Sequence, residues 1–316
     1  MKEIGGYLEL EHLSGSHYHE GALKINCARN AIVLNAKLSK AKRVFLPYYL
    51  CSSVKNALAD HGIECRFYRV DENFHPMIDN KTEKNDMLLI VNFFGQLDLE
   101  SAAHAFRDRA MILFDNTQAF FEKPPENTDA VYSCRKYFGV PDGAYLYTKN
   151  IVNAPSLKPA AVSSLCGHLL GRLEDTASAH LEEHRKNDQS FAGKPIEGMS
   201  LFTENILRAV DYASVSEKRR QNFSRLHDSL KNMNPLNLRF PVGPFAYPFY
   251  TENGIELRKK LAQKKIYVPT LWPDVLKMPD NSTEKRYAEN ILPLPCDQRY
   301  GSDDMDLILE ALEACI

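Results

Sequence analysis

From Arg29 to about Thr148 short β-rich runs alternate with helical stretches, and this rhythm constrains the fold more than any other feature of the chain. The runs are Arg43–Pro47, Cys65–Arg69, Met87–Asn92, Met111–Phe114, Ala130–Ser133 and Ala144–Tyr147. Helical stretches are expected at about Cys51–His61, closed by Gly62, and at about Asp98–Arg107. Apolar runs of this length suit strands covered on both faces, which is how a largely parallel sheet is buried under helices. An α/β fold with a mainly parallel central sheet is the reading. From about 155 to 230 the pattern turns helical and charged, at Arg172–Lys186 and Ile206–Leu230. After Asn234-Pro235 come an apolar run at Phe245–Tyr250, a helix at Ile255–Gln263, a short Ile266–Val268 strand and a last helix at Ser302–Glu313. With 316 residues, more than one core usually holds. A large α/β unit at 1–232 and a small α+β unit at 233–316 are therefore expected.

Composition closes several routes. The net charge is -2 and no basic block stands out, so the clustered Lys and Arg of a nucleic-acid surface are missing. The seven cysteines are odd in number and include no C-x-x-C, as expected of reduced thiols in a cytoplasmic protein. Met1–Gly6 shows no apolar stretch behind a basic head, so no secretory leader is expected. The uncharged run Pro159–Gly171 is too short to span a bilayer. Neither G-x-G-x-x-G nor G-x-x-x-x-G-K-[ST] occurs, which disfavours dinucleotide and nucleotide-triphosphate folds.

Polar residues that interrupt the strand rhythm carry the chemistry. Asp115 follows Met-Ile-Leu-Phe at the carboxyl end of a buried strand, the edge of an open α/β sheet at which ligands bind. With Asn116 and Gln118 behind it, it can receive a positive group; the plain alternative is a helix N-cap. Lys136 stands just past another strand end, among aromatic residues and before a Pro-Asp-Gly turn. Desolvation and the neighbouring Arg135 would both make its amine nucleophilic near neutral pH, though a lone lysine is most often a surface residue. The Asn26–Asn30 segment opens a helix whose free amides, with Arg29, suit a phosphate; the alternative is an ordinary helix start. A lysine for an imine, a carboxylate for a pyridinium nitrogen, a phosphate anchor and an aromatic face near Tyr48-Tyr49 together match pyridoxal 5'-phosphate (PLP).

Asn-Cys-Ala-Arg-Asn-Ala from 26, Pro-Tyr-Tyr-Leu-Cys from 47, Asn-Phe-Phe-Gly-Gln from 92, Phe-Asp-Asn-Thr-Gln-Ala from 114 and Ser-Cys-Arg-Lys from 133 occur in this order. With Ile266–Pro269, Trp272-Pro273 and Leu292–Tyr300, they make nearly the whole chain resemble the sugar aminotransferase (DegT/StrS) family of fold-type I PLP enzymes. The resemblance implies that Lys136 binds the cofactor as a Schiff base and shuttles the substrate proton. It implies that Asp115 pairs with the pyridinium nitrogen, Gln118 contacts the ring hydroxyl, and Tyr49 stacks. Ser133 and the backbone at Ala28 and Arg29 would hold the phosphate. It further implies a homodimer that moves an amino group, from glutamate, to a keto-sugar linked to a nucleotide, for polysaccharide synthesis. The chain departs from the family in several places. Ala28-Arg29 stands where Gly-Thr or Gly-Ser is usual, and Ser133 lies three residues before the lysine instead of five. Val140–Gly143 replaces Gly-Glu-Gly-Gly, and no Gly-x-Asn-x-Arg segment occurs.

Three other readings stand beside this one. His180–His184 matches H-x-x-E-H, which on a helix can hold zinc, but a charged solvated helix produces such a pattern easily, and no metal is expected. His17 and His19 read as loop residues, and Cys27 and Cys51 as small apolar fillers sooner than redox groups. The remaining alternative is a PLP-fold protein with another PLP reaction, or a regulator or scaffold.

Overall fold

A computed structural model describes residues 4–78 and 82–316. Residues 1–3, part of the segment read above for a leader, lie outside them. The strands are β1 (Leu23–Ile25), β2 (Arg43–Pro47), β3 (Glu64–Val70), β4 (Pro76–Met77), β5 (Asp86–Val91), β6 (Met111–Asp115), β7 (Asp129–Ser133), β8 (Ala144–Tyr147), β9 (Tyr247–Tyr250) and β10 (Ile291–Leu294). The helices of the first half are α1 (Ala28–Leu38), α2 (Ser52–Asp60) and α3 (Leu99–Phe106). Those of the second half are α4 (Gly167–Glu174), α5 (Leu181–Gln189), α6 (Leu201–Arg208), α7 (Tyr212–Leu230), α8 (Gly254–Gln263), α9 (Thr283–Asn290) and α10 (Ser302–Glu313).

The large sheet runs β1-β8-β7-β6-β5-β2-β3-β4. The pairs β7-β6, β6-β5, β5-β2 and β2-β3 are parallel, while β8, β1 and β4 pair antiparallel at the edges. The strands expected from the apolar runs are therefore present, and the sheet is mainly parallel as the rhythm required. Alternate side chains enter opposite layers: Leu88 and Ile90 join one core, Met87 and Leu89 the other. The second of these cores is closed by the apolar faces of α1 and α2, through Ala31, Leu34, Val54 and Leu58. Between β2 and β5 the chain direction across the sheet reverses, since β3 lies to one side and β6 and β7 to the other. Such a reversal opens a crevice at the carboxyl ends of the strands.

A second, two-stranded sheet pairs β9 with β10. Its core takes Tyr247, Phe249, Leu292 and Leu294 from the strands, Leu257 and Leu261 from α8, and Met305 and Ile308 from α10. It also takes Phe223, Leu226 and Leu230 from the end of α7. Arg219, one of the largest fully buried side chains, ties this unit to the Lys136 segment. Its guanidinium donates to Gln298 Oε1 at 2.7 Å and to the carbonyls of Pro244 at 2.9 Å and Tyr137 at 3.3 Å. It also lies 4.3 Å from the centre of the Tyr137 ring.

Three expectations change. Ile266–Val268 is not a strand: Lys265 turns left-handed (φ 63°), and the residues instead drop Ile266 and Val268 into the small core. With Pro269 next, the run lacks an amide for a ladder. The Arg172–Lys186 stretch divides into α4 and α5 because Asp175 is extended. The Ile206–Leu230 stretch divides at Asp211, whose carboxylate accepts the Ser214 amide at 3.0 Å and starts α7 anew. The expectation of a loop at His17–His19 holds for the backbone, yet His19 is only 4% exposed. Its ring nitrogens face the Phe120 carbonyl at 2.9 Å and the Tyr147 hydroxyl at 3.3 Å. Among the described residues no helix is long and apolar enough to cross a membrane.

The buried His19 has a consequence for acid stability. Burial pushes its imidazole down to about 3, against a backbone hydrogen bond that opposes the shift. The unfolded chain binds a proton near pH 6.5 that the folded chain refuses until about pH 3, so stability is full above 6.5 and falls as pH drops. The loss should reach roughly 3 kcal/mol between pH 6.5 and 4. Urea melts of His19→Gln over that range should show a flatter slope than the parent chain; equal slopes would remove His19 from the account.

Candidate active site

The parallel register delivers the site. Val91 on β5 pairs with Asp115 on β6, and Asp115 with Val131 on β7, so Ser133 stands two residues further along the same edge. β7 then runs into a single tight turn, Cys134–Lys136, which brings the lysine back over that edge. Across the reversal point β2 ends at Pro47 and leads through Leu50 and Cys51 into α2. These ends surround a cavity of about 490 Å³ whose walls include Ala28, Arg29, Asp115, Thr117, Gln118, Ser133, Lys136 and Trp272. Six of the seven residues singled out for a cofactor thus line one cavity, the exception being Tyr49.

Lys136 is exposed to the cavity yet hemmed in by protein around its amine, which donates to Thr117 Oγ1 at 3.1 Å. This crowding lowers its pKa; the Asp115 carboxylate opposes the shift, and Arg135 adds to it as expected from the sequence. Water entering through the cavity mouth tempers the effect. Asp115 is 3% exposed, and its Oδ1 accepts the Thr117 amide at 2.9 Å. Among the described residues no hydrogen bond reaches its Oδ2. The bond from Thr117 is the turn cap that the plain reading foresaw, but it occupies one oxygen only. Gln118 accepts the Phe94 amide at 2.9 Å, which aims its side chain, and its buried Nε2 has no partner. An unpaired buried donor is costly unless a ligand supplies the acceptor.

The end of the cavity beside α1 is equally open. Cys27 precedes α1 without a side-chain cap, and the first turn of α1 has no acidic residue. The amides at Ala28 and Arg29 therefore keep their pull on an anion. Ser133, mostly buried, lines the same cavity. The tight turn at Cys134–Lys136 keeps Ser133 and Lys136 on the same cavity.

Tyr49 does not line the cavity. It is fully buried, and the expected stacking face is corrected accordingly. Tyr48 takes the outside, stacked on Phe67 at 5.2 Å, so Tyr49 turns inward against Phe93. It meets Trp272 edge-on at 4.5 Å, and Trp272 is the aromatic residue that does reach the cavity, on a left-handed backbone (φ 55°). Sequence reasoning missed Trp272 in this role, together with Thr117, His184 and Asp188. Thr117 lay inside the Asp-Asn-Thr-Gln run and was legible; the others come from distant segments. Cys27 and Cys51 both line the cavity, and burial pushes the Cys27 thiol up, as suits an apolar filler. In the H-x-x-E-H segment His180 faces Glu183 at 3.2 Å, while His184 lies 3.6 Å from Asp188. Among the described residues no three His, Cys, Asp or Glu side chains gather to hold a metal ion.

No family model and no curated protein match the sequence. Solved structures do match. DesV of S. venezuelae superposes with a TM-score of 0.63 at 18% identity, over 96% of this chain and 85% of that one. A DegT DnrJ EryC1 StrS aminotransferase from Brucella abortus gives 0.61 at 15%, over 93% and 86%. Spr1654 from Streptococcus pneumoniae, in its PLP form, gives 0.64 at 14%, over 93% and 88%. The chain has the fold-type I aminotransferase fold. In that fold the crevice at the sheet reversal is the cavity described above, and this chain brings Lys136, Asp115 and the start of α1 to it.

The coupling between amine and acid can be read directly. Asp115→Asn removes the charge that favours the ammonium, so the Lys136 pKa should fall further. In protein freed of cofactor, the pH profile of trinitrobenzenesulfonate labelling at Lys136, followed by mass spectrometry, should move to lower pH in the variant. An unmoved profile would show that the two groups do not share a field.

Proposed function

We propose that this chain is a PLP-dependent aminotransferase of the DegT/StrS sugar aminotransferase type. One observation carries the reading: the Lys136 amine and the Asp115 carboxylate line one cavity whose remaining buried donor, Gln118 Nε2, lacks a partner. The residues fit the cofactor. Asp115, with one oxygen uncommitted, would pair with the ring nitrogen; Gln118 would donate to the ring oxygen; the Ala28 and Arg29 amides and the Ser133 hydroxyl would hold the phosphate. Trp272 takes the place in the reading first given to Tyr49, with Tyr49 as its support.

When bound, the cofactor supplies an electron-withdrawing ring that acidifies the substrate carbon. Lys136 takes the proton from that carbon and returns it, and its lowered pKa provides the neutral amine nearer physiological pH. Thr117 accepts a hydrogen bond from the same amine and so holds it over the strand edge. The Asp115 carboxylate, shielded from water, keeps a positive charge opposite it.

The reading extends to substrate and setting. The amino group would come from glutamate and pass to a keto-sugar, linked to a nucleotide, for polysaccharide synthesis in the cytoplasm. The superposition with the sugar aminotransferase Spr1654 supports this class. A homodimer is part of the proposal, as is a division into a large unit at 1–232 and a small unit at 233–316, with α7 reaching from one into the other.

The test is spectroscopic. The purified chain should absorb in the visible with PLP, and borohydride should fix the cofactor on Lys136, seen by peptide mapping. Glutamate in single turnover should convert it to the pyridoxamine form, and Lys136→Ala should lose turnover by at least about a thousandfold. Cofactor retained without any pyridoxamine form would favour a regulator or scaffold instead.

A further inference from the structure

Arg135 precedes Lys136 on the tight turn, and both line the same cavity. Its guanidinium is held in place by two buried neighbours. Asn187, only 1% exposed and itself fixed by donating to the Pro141 carbonyl at 3.1 Å, accepts from Arg135 Nη2 at 2.7 Å. The ring of Phe191, also buried, has its centre 4.7 Å from the guanidinium carbon and gives it a flat seat. The same Nη2 carries the ion pair of this side chain, to Asp188. Among the described residues neither Nε nor Nη1 takes part in a hydrogen bond. Asp188 is half-exposed, lines the cavity and has a second neighbour there, His184 Nε2 at 3.6 Å. Lys194 and Arg29 approach the Phe191 ring at 5.9 and 6.0 Å, so positive charge accumulates around Arg135.

Two features set this pair apart from a plain fastening of α5 to the lysine turn. A half-exposed carboxylate keeps much of its water, so the ion pair is worth little and another carboxylate can take its place. The guanidinium also keeps unfilled donors on a fork that matches a carboxylate through two nitrogens at once, whereas Asp188 engages one. An amino acid that gives up its amino group carries a carboxylate on the very carbon that loses the proton. Lys136, which moves that proton, is the neighbour of Arg135 in the chain. We propose that Arg135 binds the α-carboxylate of the amino donor, which displaces Asp188 towards His184. Asp188 returns to Arg135 when a keto substrate without a carboxylate at that place occupies the cavity. The exchange lets one cavity take two substrates of unlike charge without leaving the guanidinium unanswered. This rests on the reading of the cavity as the PLP site, and it assigns the recognition of the donor's charge to Arg135.

The probe is 2-oxoglutarate, the keto acid left when glutamate gives up its amino group. It is titrated calorimetrically into the PLP-loaded protein, which holds no amino group to return to it, and should bind at one site. Arg135→Met should weaken binding about thirtyfold. Arg135→Lys, which keeps the charge but not the fork, should recover only a small part of the loss. Asp188→Ala should tighten binding about threefold, because the resident carboxylate no longer competes. The opposite signs at Arg135 and Asp188 are the mark of competition; a fastening role would weaken binding in both variants or in neither. No binding to the loaded parent protein, equal affinity in Arg135→Met, or affinity in Asp188→Ala no better than the parent's would each overturn the carboxylate exchange. A chain that takes up no PLP at all would overturn the proposed function and this inference together. A loaded chain that glutamate converts to the pyridoxamine form, but whose Arg135→Met variant binds 2-oxoglutarate as the parent does, would overturn the inference alone.

Discussion

Parallel pairing of β5, β6 and β7 is the constraint on which the rest depends. Because parallel strands point the same way, their carboxyl ends share one edge, and the register Val91–Asp115–Val131 decides which residues stand there. A slip of one residue would turn Asp115 from the cavity into a buried layer and expose an apolar neighbour in its place. The dense cores on both faces resist such a slip, since every residue of β5 and β7 is buried. Packing and site geometry are one requirement here.

Electrostatics at that edge work against packing. A lysine crowded by protein, a carboxylate with a free oxygen, an amide without a partner and a helix start without a cap all lower the stability of the chain by themselves. Their concentration within one cavity makes sense as a place prepared for a ligand with a cation, an acceptor and a phosphate. The surrounding structure holds them there. Arg219 binds the carbonyl of Tyr137, the residue after the lysine, and joins it to the small unit. On the other side of the lysine turn, Asp142 accepts from the Ser200 amide at 2.8 Å and its hydroxyl at 2.6 Å, and from the Thr203 hydroxyl, which fastens the Pro-Asp-Gly turn to α6. Val140–Gly143 thus has a defined structural part in this chain, whatever its difference from Gly-Glu-Gly-Gly.

The replacement of Gly-Thr or Gly-Ser by Ala28-Arg29 also acquires a physical meaning. The backbone amides of α1 remain available, and the Arg29 side chain stays on the cavity wall with its guanidinium 6.0 Å from the centre of the Phe191 ring. The segment that supplies Phe191 and Lys194 lies close against the same helix start, because Asn26 and Asn30 both donate to the Pro195 carbonyl, at 3.3 and 3.1 Å.

Local patterns settled much of this protein without tertiary information. The apolar runs marked the strands of the large sheet, a buried strand ending in Asp115 marked the ligand edge, and Lys136 after a strand end marked the amine, because burial on two faces leaves a direct imprint on residue type. Other elements left none: β1 has only three residues, β10 carries Pro293 inside it and α9 is mostly polar, while Ile266–Val268 looked like a strand but found no strand to pair with. Tertiary structure alone decided that Tyr49 turns inward while Trp272 reaches the cavity, and that Lys194 comes to Arg29 across more than half the chain's strands and helices. Those outcomes depend on contacts between distant segments, where the orientation of one side chain is chosen by the shape of its neighbours and by no period of its own.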